Sequence, residues 1–243
     1  MSVELGPLAG HELVVFDKDG TLIDFHTMWG GWSGRLADNL EAATGTTIRP
    51  ALFEAFGIDP TTGGVRPHSL LNATPMAVLR GVASDALVST GLSRPAAERA
   101  LRDAWVAPDP VELARPLADL AALFGAIRAT GGSIAVATSD DREPTVRTLV
   151  ALRIAHLVDG IACADDGLPV KPAGDMVIRL CATLGVDVAN AAVVGDTVED
   201  LRMGRSAGVR TCLGVLSGTA TAEELRPFAD ALVASVADLG RPV

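Results

Sequence analysis

Two aspartates, Asp17 and Asp19, stand at the end of the apolar run Leu13-Val14-Val15-Phe16 and directly before Gly20-Thr21-Leu22. Alternate residues of an extended chain point the same way, so both carboxylates can converge on one small site at a strand end. Carboxylates so placed can attack an electrophile, move protons or hold a hard cation. An Asp-Gly turn after an apolar run is an equally ordinary reading of the same letters. Three other places offer matching chemistry. Thr138 ends the run Ile134-Ala135-Val136-Ala137 and leads into Ser139-Asp140-Asp141, Lys171 precedes Pro172, and Asp196 follows Ala191 to Gly195 with Asp200 four residues on. Each also has a plainer alternative: Thr138 as a helix N-cap, Lys171 as a solvated cation, and Asp196 and Asp200 as acids favoured at a helix start.

What must position these residues is a parallel sheet. Leu13–Phe16, Ile134–Ala137 and Ala191–Val194 are short uninterrupted apolar runs, as expected of strands covered on both faces. Weaker strands are expected near Ile161–Cys163, Val209–Leu213 and Ala231–Ala234. Helical patterns separate them, over Leu117–Thr130, Glu143–Leu152, Asp175–Leu184, Glu199–Ala207 and Ala222–Phe228. This alternation predicts a doubly wound α/β sheet with right-handed crossovers, a Rossmann-like core. All its strands would then end along one edge, where acids remote in sequence can meet.

Between the first strand and the rest lies a different text. Asp24 to Trp32 carries His26, Trp29 and Trp32 around Gly30-Gly31, and helical periodicity is expected from about Ser33. Helical pieces follow over Leu36–Ala43, Ala51–Phe56, Met76–Val88 and Pro95–Trp105, cut by glycine-rich loops and by no strand pattern. The expected organisation is a core of residues 1–24 and 111–243 with an inserted all-helical domain of residues 25–110.

The chain of 243 residues is 49% hydrophobic and carries a net charge of -10, ample for a core and unfavourable for nucleic acid or an anionic membrane. Eighteen of its twenty basic residues are arginine, and the only lysines, Lys18 and Lys171, both fall in the stretches described above. Cys163, Cys181 and Cys212 are widely spaced in apolar surroundings and read as reduced core thiols. There is no basic and apolar leader pattern and no run as long as a membrane span, so a soluble cytoplasmic protein, monomer or homodimer, is expected.

Taken in order, Asp17-Lys18-Asp19-Gly20-Thr21-Leu22, Thr138, Lys171 and Gly195-Asp196-Thr197-Val198-Glu199-Asp200 resemble the four motifs of the haloacid dehalogenase superfamily. The resemblance covers the whole core, and the helical insert matches the family's cap in position and character. It implies a Mg2+-dependent phosphatase acting on a small phosphorylated metabolite, similar to the phosphoglycolate phosphatases. It further implies Asp17 as nucleophile, Asp19 as general acid and base, and Thr138, Ser139 and Lys171 as phosphate ligands. The metal would be held by Asp17, the Asp19 carbonyl, Asp196, and Asp200 through a water. One departure is Gly174, which stands where the third motif often has a second proline. Lys18 occupies the variable position of the first motif, and strand alternation predicts that its side chain turns away from the site.

Two relatives of this chemistry read poorly here. Dehalogenases lack the second acid, and phosphonatases use a cap lysine, whereas no lysine lies between Lys18 and Lys171. A phosphosugar mutase and a non-catalytic phosphate-binding module remain as alternatives. In the insert, His26 and Trp29 are the first candidates for substrate contact, because the chain has just left the site. Trp32, Arg35, Arg66, His68 and Arg80 follow.

Overall fold

A computed structural model describes residues 3–67, 69–72, 76–106, 108–239 and 241–242. The chain divides into two compact units, Met1–Asp24 with Ala114–Val243, and Phe25–Leu113. In chain order the elements are β1 (Val3–Glu4), β2 (Leu13–Phe16), α1 (Phe25–Thr44), α2 (Arg49–Phe56), α3 (Met76–Ser89), α4 (Arg94–Ala104) and α5 (Pro110–Leu113). They continue with α6 (Leu120–Ala129), β3 (Ser133–Ala137), α7 (Arg142–Ala151), β4 (Gly160–Ala162), α8 (Asp175–Leu184) and β5 (Ala191–Gly195). The last are α9 (Val198–Ala207), β6 (Thr211–Val215), α10 (Ala222–Leu225), β7 (Ala231–Val233) and β8 (Arg241–Pro242). Among the described residues no helix is long and apolar enough to cross a membrane.

The larger unit is built on a six-stranded sheet of order β4-β3-β2-β5-β6-β7 in which every neighbouring pair is parallel. The apolar runs are continuous because the sheet is covered twice. Val14, Phe16, Ile134, Val136, Ala192 and Val194 pack with Leu123, Phe124 and Ile127 of α6 and Leu149 of α7. Their neighbours Leu13, Val15, Ala135, Ala137, Ala191 and Val193 pack on the opposite face with Met176, Val177 and Leu180 of α8 and Leu201 and Met203 of α9. Burying each of the Val, Leu, Ile, Met and Phe side chains among them contributes about 1.5–3 kcal/mol. Beside the sheet, the two chain crossings run together: Asp24 N donates to Arg115 O at 2.8 Å and Leu117 N to Leu22 O at 3.0 Å.

Edge strand β4 is closed by charge. Because the Ala162 carbonyl accepts from Thr138 N, the Ile161 carbonyl turns to the free edge, where Arg142 Nη2 donates to it at 2.9 Å. The same guanidinium holds Asp166 through Nε and Nη2, at 2.8 and 2.6 Å. Such blocking keeps the edge from pairing with another chain. The Arg142 hydrogen bonds hold the Asp166 carboxyl below its ordinary value of 3.8. A depressed acid contributes stability above its unfolded pKa and loses it as the pH falls through the folded one. Asp166→Asn is therefore expected to melt below wild type at pH 6 and to converge with it towards pH 3; a constant gap would refute this linkage.

In the smaller unit α1 begins at Phe25, eight residues before the helical periodicity expected from Ser33. Gly30 lies inside the helix and serves close approach: a Cβ on it would stand 2.0 Å from the Gly63 carbonyl oxygen. Aromatic packing carries the helix across this stretch. Trp32 stacks on Phe56 at 5.8 Å, meets Trp29 and Trp105 edge-on, and donates Nε1 to Val106 O at 2.8 Å. Leu36, Leu40, Leu52, Leu79, Leu87 and Leu101 complete this core.

Candidate active site

The carboxyl ends of β2, β3 and β5 bring together the residues that the sequence scatters. Backbone pairing runs one step past the strands, with Asp17 N donating to Val194 O at 2.8 Å and Thr138 N to Ala162 O at 3.0 Å. Asp17, Asp196, Asp200 and Thr138 are all buried there. Carboxylate oxygens of Asp17, Asp196 and Asp200 lie within 4.8 Å of one another. Lys171 reaches into the cluster with its side chain 5% exposed, 2.5 Å from Asp17 Oδ1 and 2.6 Å from Asp200 Oδ1.

Thr138 does not cap α7; its Oγ1 accepts from Asp140 N at 3.2 Å and steadies the loop after β3. Ser139 is exposed. Asp200 caps α9 and faces Lys171. Its Oδ2 accepts from Thr197 N at 3.0 Å and Thr197 Oγ1 at 2.6 Å in a capping box, while its Oδ1 faces Lys171. Gly174 is required by packing, since a Cβ on it would lie 2.5 Å from Ala207 N at the end of α9.

Charge in this cluster does not balance. Three carboxylates face one ammonium, and burying them disfavours their charged forms. Burial pushes Asp17 up to about 7, with Asp200 and Asp19 adding repulsion and Lys171 opposing. Asp196 is raised well above the usual range by burial and then by Asp17 and Asp200. Lys171 is held charged: Asp17 and Asp200 outweigh the burial that would neutralise it. A surplus of buried negative charge on an all-oxygen donor set fits a hard divalent cation such as Mg2+.

The loop after β6 was not read from the sequence, yet it shapes the site. Thr219 N donates to Asp196 Oδ2 at 3.1 Å, Thr21 Oγ1 donates to Asp196 Oδ1 at 3.2 Å, and Ser217 Oγ donates to the Gly20 carbonyl at 2.7 Å. Gly20 and Gly218 press on the same carboxylate. A Cβ on Gly218 would fall 1.8 Å from Asp196 Oδ2, and one on Gly20 would fall 2.6 Å from it. The usable signal was position, since β6 lies beside β5 and ends at the same edge. Gly218→Ala is expected to displace Asp196 and lower kcat/KM about 100-fold. Wild-type values would show that the loop yields.

Lys18 departs from the expected direction. Strand alternation ends at Asp17, because Leu22 N and Ile23 N both donate to the Lys18 carbonyl and turn the chain. Its ammonium lies 2.6 Å from Asp19 Oδ2 and 2.9 Å from Asp140 Oδ2, with the side chain 2% exposed.

The candidates in the helical unit have local partners. His26 Nδ1 accepts from Val65 N at 3.1 Å. Trp29 packs on Phe25 and Trp32, and its Nε1 is buried without a hydrogen-bond partner among the described residues. Arg35 pairs with Glu112, Arg66 with Glu54, and Arg80 lies over the Trp105 ring. His68 lies outside the described residues.

A parallel sheet carrying acids, a hydroxyl and a lysine at one edge defines an α/β protein with a polar site at the carboxyl ends of its strands. Residues 11–208 match the haloacid dehalogenase-like hydrolase family, and the chain belongs to it. A phosphoglycolate phosphatase from Aquifex aeolicus is 26% identical over 84% of this chain and 84% of its own. An N-acetylmuramic acid 6-phosphate phosphatase from Pseudomonas aeruginosa is 25% identical over 82% of this chain and 79% of its own. With such relatives the chain is a phosphoric monoester hydrolase of that family. The solved structure of a candidate beta-phosphoglucomutase from Thermotoga maritima shares the fold, with a TM-score of 0.64 at 18% identity over 93% of this chain and 95% of that one.

Proposed function

We propose that the protein is a Mg2+-dependent phosphatase that hydrolyses a small-molecule phosphate monoester through an aspartyl phosphate on Asp17. The observation that supports this most is the buried group of Asp17, Asp196 and Asp200 with Lys171 set against two of them. Asp17, the Asp19 carbonyl and Asp196, with Asp200 through a water, would hold Mg2+, which when bound offsets the repulsion between a carboxylate and a phosphate ester.

The remaining work falls to the chain itself. Asp17 forms a bond to phosphorus as the bond to the leaving oxygen breaks, and Asp19 gives that oxygen its proton. In the second displacement Asp19 takes a proton from the attacking water, the Asp17–phosphorus bond breaks, and phosphate leaves. Lys171 and Thr138 supply charge and a hydroxyl to the transferring group and move no proton. Residues 25–113 serve as a cap, with His26 and Trp29 as its first candidates for substrate contact. The names of the Aquifex and Pseudomonas relatives denote phosphorylated acids, which makes a small phosphorylated acid the substrate class to try first.

The test is a panel of phosphate esters with and without Mg2+. Mg2+-dependent phosphate release, fastest on a phosphorylated acid, is the expected result. Inactivity across the panel would replace this reading with a binding module, and phosphoryl exchange faster than release would replace it with a mutase.

A further inference from the structure

Lys18 is the less expected of the two lysines. A lysine side chain is rarely buried unless paired, and this one is 2% exposed between Asp19 and Asp140. Asp140 is itself fixed on the loop after β3: its N donates to Thr138 Oγ1 at 3.2 Å and its carbonyl accepts from Ala164 N at 3.0 Å. With two carboxylates on its ammonium, Lys18 has its charge matched locally. Lys171 differs in facing the nucleophile directly.

We infer that Lys18, anchored by Asp140, is a positioning residue that fixes the Asp19 carboxylate for proton transfer. Of the two Asp19 oxygens, Oδ2 is tied to Lys18 at 2.6 Å, whereas Oδ1 is buried with no hydrogen-bond partner among the described residues. The tie stops the carboxylate from rotating and leaves Oδ1 as the atom that carries the proton. Positioning of this kind matters because proton transfer needs heavy atoms within hydrogen-bond reach. The inference rests on the reading of Asp19 as general acid.

Leaving-group dependence separates positioning from mere structure. A dinitrophenolate leaves without a proton, whereas an alkoxide does not, and kcat/KM reports the step in which that group leaves. Asp19→Asn is expected to lower kcat/KM on an alkyl phosphate about 100- to 10,000-fold and on dinitrophenyl phosphate far less. Lys18→Met should show the same selectivity in smaller measure, with inhibition by inorganic phosphate unchanged, and Lys18→Arg should restore most of the alkyl rate. Equal loss on both esters, or no loss on either, overturns the role of Lys18. If Lys18→Met does not fold, Asp140→Asn carries the same test, because that side chain is 44% exposed. An unselective Asp19→Asn would instead sink the general-acid reading, and this inference with it.

Discussion

Asp17→Asn is expected to lower phosphate release by about 10,000-fold or more, since no other group in the cluster can replace an attacking oxygen on that strand. The same change should leave the protein folded and, in a chelator, more stable than wild type at neutral pH and above. Asp17 is raised to about 7 by burial. For an acid raised in the folded state, the associated stability is fully present below the unfolded pKa, near 4, and is lost as the pH rises through 7. Asparagine escapes that loss. The variant's advantage in Tm should therefore appear between pH 4 and 7, persist above 7 and shrink when Mg2+ is added. An active variant would remove Asp17 from the chemistry, and a variant less stable at pH 8 would remove the charge argument.

Lys171→Met should have the largest effect on stability. It leaves Asp17, Asp196 and Asp200 buried without their cation, and breaking a buried ion pair in this way costs about 3–5 kcal/mol. Turnover should fall about 100- to 1,000-fold through loss of charge stabilisation in the transition state. Mg2+ should raise the variant's Tm by more than it raises that of wild type, and adding Asp17→Asn should recover part of the lost stability. Additive losses in the double variant would show that the groups do not share one charge balance.

The parts of the site legible in the sequence were those in which residue type alone constrains the chemistry. Leu13–Phe16 and Ala191–Val194 read as doubly covered strands, and acids at the ends of parallel strands share an edge. Lys171 stood out because lysine is so scarce in this chain. What escaped was geometry carried by the backbone. Ser217, Gly218 and Thr219 act on Asp196 and Gly20 through an amide, a hydroxyl and the lack of a side chain, none of which marks a sequence. Lys18 was misdirected for a related reason. Alternation predicts direction only while the chain stays extended, and the turn at Lys18 ends that rule. Helical periodicity is expected only from about Ser33, yet α1 starts at Phe25, because Gly30 admits another backbone and aromatic packing carries the helix past it.

The paired chain crossings at Asp24 and Arg115 bear on how freely such proteins can diversify. Seen from the sheet, residues 25–113 amount to a loop whose two ends are already hydrogen-bonded side by side. Loop-closure entropy grows only with the logarithm of length, so each doubling of that loop costs about 0.6 kcal/mol. A lineage can therefore lengthen, shorten or rebuild the inserted segment at almost no thermodynamic expense to the sheet.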